Sequence, residues 1–145
     1  MSERVQYWSR DFMEALVREL RKDATFKKAS RKFADRIELR CLDTPAGKDV
    51  STVYRIERGE VVGEYREEPA PSRALREEPF EPGQRFARTT ASYELWRRVD
   101  QGEVGVLKAI RSPEYRVEGN PLKVAANVGI FRAMNAASGR LDKDY

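Results

Sequence analysis

The chain contains no histidine and a single cysteine, Cys41. Without histidine it has no side chain that ordinarily titrates near neutral pH, no Ser-His or Cys-His nucleophile pair, and none of the commonest transition-metal ligand. A lone cysteine can neither close a disulfide within the chain nor build a cysteine metal cluster, and it gives no argument for an oxidising compartment. Long hydrophobic runs are missing as well. The opening MSERVQYWSRDFMEAL mixes charges with apolar residues and reads as neither a signal peptide nor a membrane anchor. The expectation is a soluble, cytoplasmic protein with no metal and no cofactor.

What is present suits one domain over residues 1–145. Apolar residues make up 40% of the chain, enough to build a core without staples at this length. The formal net charge is +4, and the excess lies at the front. Residues 1–40 hold eleven Lys and Arg against seven Asp and Glu, and the rest is balanced. Lys27, Lys28, Arg31 and Lys32 form the densest cluster, which suits either the wet face of a helix or contact with phosphate.

Periodicity divides the chain. Val5, Trp8, Phe12, Leu16 and Leu20 recur at steps of three and four, the stripe of an amphipathic helix. Asp23 or Thr25 caps a second helix with Phe26 and Phe33 inward, so 1–34 reads as amino-terminal helices. The period then changes to two. RIELRCLD places Ile37, Leu39 and Cys41 on one face and Glu38 and Arg40 on the other, VSTVYRIE resumes the alternation, and VVGEYRE completes a three-stranded meander. Residues 69–84 are rich in proline and read as a long crossover loop. RFART predicts a fourth strand, TASYELWRRVDQG and EVGVLKAIRS two helical runs, and EYRVEG a fifth strand. Asn120 caps and Pro121 starts a last helix, and RLDKDY at 140–145 reads as a frayed tail.

That last helix is unusual for a chain in which 36% of residues are charged. From Pro121 to Ser138 only Lys123 and Arg132 carry charge, so most of the helix is expected to be covered. Its small residues Ala125, Ala126, Gly129, Ala133, Ala136 and Ala137 allow close approach of a neighbour, a second helix or a ligand.

In this order of elements, a strand like RFART, a helix like SYELWRRVDQGEVGVLKAI and a Gly-ended strand like YRVEGN before an apolar helix resemble the sterol carrier protein type 2 family. The topology resembles the family over nearly the whole chain, and the residue-level likeness lies at about 85–134. The resemblance implies an α+β fold, a five-stranded antiparallel-rich sheet covered on one face by helices. It implies non-catalytic binding or transfer of a sterol, fatty acid, fatty acyl-CoA or similar lipid in a tunnel between sheet and helices. In that frame Phe12, Leu16, Phe33, Ile37, Leu39, Phe86, Val104, Leu107, Val124, Val128 and Phe131 are the pocket candidates. Each also suits plain core packing. Lys27, Lys28, Arg31 and Lys32 are the candidates for transient docking on an anionic membrane, where a lipid carrier must load.

Two other readings stand beside it. One is a small enzyme on a cone fold like that of ketosteroid isomerase relatives, with Asp49, Glu64, Tyr54 and Tyr65 as the available proton-moving groups. The other is a basic-surface interaction module. Nucleic acid is the less favoured partner for it, because Phe26 and Phe33 fall on the inward face and leave no stacking platform among the basic residues. Cys41 reads as a small buried hydrophobe, and the adjacent acidic pairs of the crossover set up no metal geometry.

Overall fold

A computed structural model describes residues 4–145, with every side chain in that range except those of Val106 and Leu107. The elements run β1 (Val5–Gln6), α1 (Arg10–Arg21), α2 (Ala24–Ala29), β2 (Ala34–Leu42), β3 (Lys48–Glu57), β4 (Glu60–Pro69), α3 (Arg73–Arg76), β5 (Ala87–Ser92) and α4 (Tyr93–Asp100). They continue with α5 (Val106–Ile110), β6 (Arg116–Gly119), α6 (Pro121–Ala126), α7 (Val128–Arg140) and β7 (Lys143–Asp144).

Five strands form one sheet in the order β4-β3-β2-β5-β6. The meander β2-β3-β4 is antiparallel, as is β5 with β6, but β2 and β5 run parallel, so the sheet is mixed. A parallel neighbour cannot be reached by a tight turn. The proline-rich segment after β4 supplies the connection, carrying the chain from the sheet's edge back to its centre.

Local chemistry sets the helix starts. Ser9 Oγ accepts the Phe12 amide at 3.1 Å, Asp23 Oδ1 the Thr25 amide at 2.9 Å, and Ser92 Oγ the Leu95 amide at 3.2 Å. Asn120 Oδ1 takes the amides of Leu122 and Lys123, with Pro121 in the first turn, as the sequence predicts. The first helix starts later than its apolar stripe suggests. Val5 belongs to β1, and Trp8, at φ 60°, turns the chain before Ser9 caps α1. The expected frayed tail is a second correction. Lys143–Asp144 pair in parallel with Val5–Gln6, and Lys143 Nζ lies 2.9 Å from Asp100 with both side chains buried. Pairing between the two ends of a chain leaves no local signal, so the sequence alone could not reveal it.

Strand register assigns the two faces of the sheet. Ile37, Leu39 and Cys41 share one face with Val50, Thr52, Tyr54 and Ile56, with Val61, Gly63 and Tyr65, and with Ala87, Thr89 and Ala91. This face meets the helices. Phe12, Met13, Leu16, Val17 and Leu20 of α1, Phe26 of α2, and Ile130, Ala133, Met134 and Ala137 of α7 are buried in one cluster with it.

The opposite face is buried too, contrary to the expectation that Glu38 and Arg40 face water. Both side chains are inaccessible, together with Asp49, Ser51, Arg88 and Thr90. The crossover folds over them. Leu75 of α3 is fully buried, and its carbonyl accepts from Arg40 Nη1 at 2.6 Å while Arg40 Nε donates to Thr90 Oγ1 at 3.1 Å. Arg76 grips the Asp49 carboxylate with Nε at 2.7 Å and Nη2 at 2.9 Å. Arg88 does the same to Glu118 at 2.9 and 3.2 Å. Buried charges persist only when paired or hydrogen-bonded, and here the pairs tie the crossover to the sheet. The crossover thus forms a polar second layer.

Candidate functional site

The candidate ligand face lies between the sheet and the helices. Across it runs one row of register partners, Tyr65, Thr52, Leu39, Thr89 and Val117. Thr52 and Thr89 are buried, Leu39 in the central strand is only half-buried, and Val117 at the edge is 43% exposed. The helical cover is therefore complete over β3 and incomplete towards β6.

The amino-terminal side is filled by aromatic rings. Tyr7 meets Phe12 edge-on with centroids 4.9 Å apart, Trp8 packs on Trp96 at 5.2 Å, and Trp96 on Tyr115 at 6.1 Å. Trp96 Nε1 donates to the Arg40 carbonyl at 2.9 Å, which anchors the column to the central strand. Tyr7, Tyr93, Trp96 and Tyr115 were not singled out as site residues from the sequence, and only Trp8 and Phe12 on the first apolar stripe pointed to this column.

The pocket candidates separate into groups. Phe12, Leu16, Phe33 and Ile37 are buried in the main cluster. Leu39, Phe86 and Phe131 are half-buried against it, and Phe86 meets Phe33 edge-on at 4.8 Å. Val104 belongs to a second cluster, with Ala91, Leu95 and Ala109. Val124 is half-buried and Val128 is 42% exposed, while the Leu107 side chain lies outside the described ones.

The expectation of a covered last helix fails at its start. The helix breaks at Asn127, whose Nδ2 bonds back to the Lys123 carbonyl at 2.9 Å. From there α7 packs inward, but α6 buries no residue and Leu122 is 83% exposed. Few charges therefore did not mean burial: six residues pass outside the body of the fold before the chain turns in.

Two open clefts mark the surface. One, of about 330 Å³, is lined by Lys27, Lys28, Arg31, Arg58, Gly59 and Glu60. It gathers three of the four docking candidates, with Lys32 exposed beside them, and adds Arg58 from the β3–β4 turn. The other, of about 350 Å³, lies between α4 and α5 and includes Leu95, Val104 and Ala109 with Arg98, Lys108, Arg111 and Ser112.

The groups considered for proton transfer do not converge. Asp49 and Glu64 belong to the crossover side of the sheet, and Tyr54 and Tyr65 to the helix side. Burial pushes the Asp49 carboxyl up, but hydrogen bonds from Arg76 and from the Ser72 and Asp43 amides outweigh it and hold it below the usual range. Burial raises the Tyr54 hydroxyl to about 12. The Tyr65 hydroxyl is also raised, by burial and by its bond to Glu67 Oε2 at 2.9 Å. Burial likewise pushes the Cys41 thiol up, with no side-chain surface exposed. Among the described residues no group of three or more Cys, Asp or Glu side chains could hold a metal ion, and no helix is long and apolar enough to cross a membrane.

The sequence matches no family model and no curated relative. Its structure does match solved ones. A crystal structure of sterol carrier protein 2 superposes with a TM-score of 0.72 at 14% identity, covering 94% of this chain and 99% of that one. Sterol carrier protein 2 from Yarrowia lipolytica in its apo form gives 0.53 at 16% identity, over 88% and 97% of the two chains. The sterol carrier protein domain 2 of Helicoverpa armigera gives 0.56 at 16%, over 90% and 88%. With the mixed five-stranded sheet and near-complete coverage both ways, the chain shares the fold of these sterol carrier protein 2 structures.

Proposed function

We propose that the protein binds or transfers an apolar ligand, a sterol, fatty acid, fatty acyl-CoA or similar lipid, between its sheet and its helices, and does so without catalysis. One observation carries the reading. Leu39, Phe86 and Phe131 stay half-buried against the core cluster on the helix side of the fold, in a chain whose apolar helix α6 buries nothing. A plain core closes such surface against water, whereas a ligand site leaves it to be covered by the ligand. Val124 and Val128 extend it, and Phe12, Leu16, Phe33 and Ile37 form its inner wall. Val104 and Leu107 belong to the neighbouring helical pair. The basic cleft of Lys27, Lys28 and Arg31, with Lys32 beside it, docks transiently on an anionic membrane for loading and release.

The test is direct. The purified protein is extracted with organic solvent and the extract read by mass spectrometry, and a fluorescent fatty acid is titrated into the stripped protein. Co-purified lipid, or saturable probe binding displaced by unlabelled fatty acid, is the expected result. A clean extract together with no probe binding rejects the reading.

A further inference from the structure

The segments flanking helix α6 and the basic α2 segment come from opposite ends of the chain, yet the fold brings them together at two points. Gly119, one residue before the Asn120 cap, lies so close to Phe86 that an added Cβ would stand 2.8 Å from the Phe86 carbonyl oxygen. Phe86 in turn packs on Phe33, which follows Lys32 directly. Beyond α6, in the first turn of α7, a Cβ built on Gly129 would lie 3.6 Å from the Cβ of Ala29, one residue after Lys28. The segments on either side of the uncovered helix are thus tied to residues 29–33.

The surface so assembled is mainly basic with an apolar centre, and the cleft of Lys27, Lys28 and Arg31 also takes in Glu60. Neither residues 24–34 nor residues 119–141 contain Asp or Glu. Lys27, Lys28, Arg31, Lys32, Lys123 and Arg132 are all exposed, and among the described residues none of them is ion-paired. The two acidic groups nearest in sequence to α6 on its other side are Glu114, bonded to Ser92, and Glu118, held by Arg88. Next to Lys123 stands Leu122, 83% exposed, and one turn before Arg132 stands Val128, the first residue of α7 and 42% exposed. An apolar side chain in water beside unpaired cations is the arrangement of an interfacial helix, which places its apolar face among acyl chains and its cations at anionic headgroups.

We propose that α6 is a membrane-inserting arm: Leu122 and Val128 enter the surface of an anionic bilayer while Lys27, Lys28, Arg31, Lys32, Lys123 and Arg132 hold the headgroups around them. This goes beyond charge attraction at the basic cleft and gives the ligand reading its route, since the arm adjoins Phe86 and Phe131. It rests on that reading for its purpose, not for its test.

Leu122→Cys in the full chain gives a selective labelling site, because the only other thiol, Cys41, is fully buried. Labelled with an environment-sensitive fluorophore, the variant is mixed with vesicles of phosphatidylserine and phosphatidylcholine, or of phosphatidylcholine alone. A blue shift with the anionic vesicles only, weakened by salt, is the expected result. Leu122→Asp, at a position exposed enough to leave thermal unfolding unchanged, is expected to bind these vesicles at least about tenfold more weakly. Equal binding by Leu122→Asp, or co-sedimentation with no shift of the label, overturns insertion and leaves a surface for acidic partners. A concentration-dependent dimer lost in Leu122→Asp, without vesicle binding, overturns it in favour of a second copy. Insertion with a lipid-free extract rejects the carrier reading alone, and co-purified lipid without insertion rejects the arm alone.

Discussion

Gly129 of α7 faces Ala29 of α2 at the distance of an ordinary van der Waals contact, 3.6 Å from the Ala29 Cβ to an atom placed where a Gly129 side chain would begin. One methyl fits there. Gly129→Ala is expected to be neutral or to stabilise by up to about 1 kcal/mol through helix propensity. Gly129→Leu sets a larger side chain at the exposed rim of this contact and is expected to be less stable than Gly129→Ala by about 1 kcal/mol. Urea unfolding of the two variants checks both signs. A leucine here disturbs packing as well as any ligand space, so it cannot separate the two roles.

Leu39 separates them better. It is half-buried in the central strand, beside Thr52 and Thr89 in the same row. Leu39→Phe is expected to lower uptake of a fluorescent fatty acid by tenfold or more while costing less than about 1.5 kcal/mol of stability. Unchanged uptake moves the ligand surface away from this row.

Met13 and Gly63 mark the tightest approach of α1 to the sheet. A methyl at Gly63 would overlap the Met13 sulfur and come within 3.0 Å of Val17 Cγ2. Gly63→Ala is expected to destabilise by about 1–3 kcal/mol, with part of that loss recovered in the double variant Gly63→Ala, Met13→Ala. A double-mutant cycle from urea midpoints measures the recovery. Losses that simply add exclude a direct clash.

Asp49 links stability to acid. Its carboxyl is fully buried and held below the ordinary range, against its own desolvation, by Arg76 and two amides. A carboxyl depressed in the folded state stabilises fully above its unfolded pKa of about 3.9, and that stability is lost as pH falls through the folded value. Melting temperature is therefore expected to drop below about pH 4, and the drop to shrink in Asp49→Asn. At neutral pH the same variant is expected to lose about 3–5 kcal/mol, because Arg76 is left without its carboxylate. Thermal melts from pH 2 to 8 on both proteins test the sign and the size.

Cys41 is expected to resist a thiol reagent at pH 8 in the folded protein and to react fully in denaturant. Its side chain is buried, and burial keeps it in the unreactive thiol form. Rapid reaction of the native protein contradicts the burial of this strand.

The order of the five sheet strands, the caps at Asp23 and Asn120, and the inward set Ile37, Leu39 and Cys41 could all be read from the chain. Each depends on neighbours a few residues away, through periodicity or a side chain bonding a nearby amide. The resemblance to sterol carriers was legible for the same reason, because it rests on the order of such elements.

What the tertiary structure decided depends on partners far along the chain. Glu38 and Arg40 alternate like solvated strand residues, yet the returning crossover buries them. The last six residues look frayed, yet β1 from the other terminus gives β7 a partner. The apolar helix after Asn120 looks like core, but a break at Asn127 sends α7 inward and leaves α6 and Leu122 in water. Local pattern specifies which face of a segment is apolar. Whether anything covers that face is set by the path of the rest of the chain, which here brings Ala29 to Gly129 and leaves Leu122 outside.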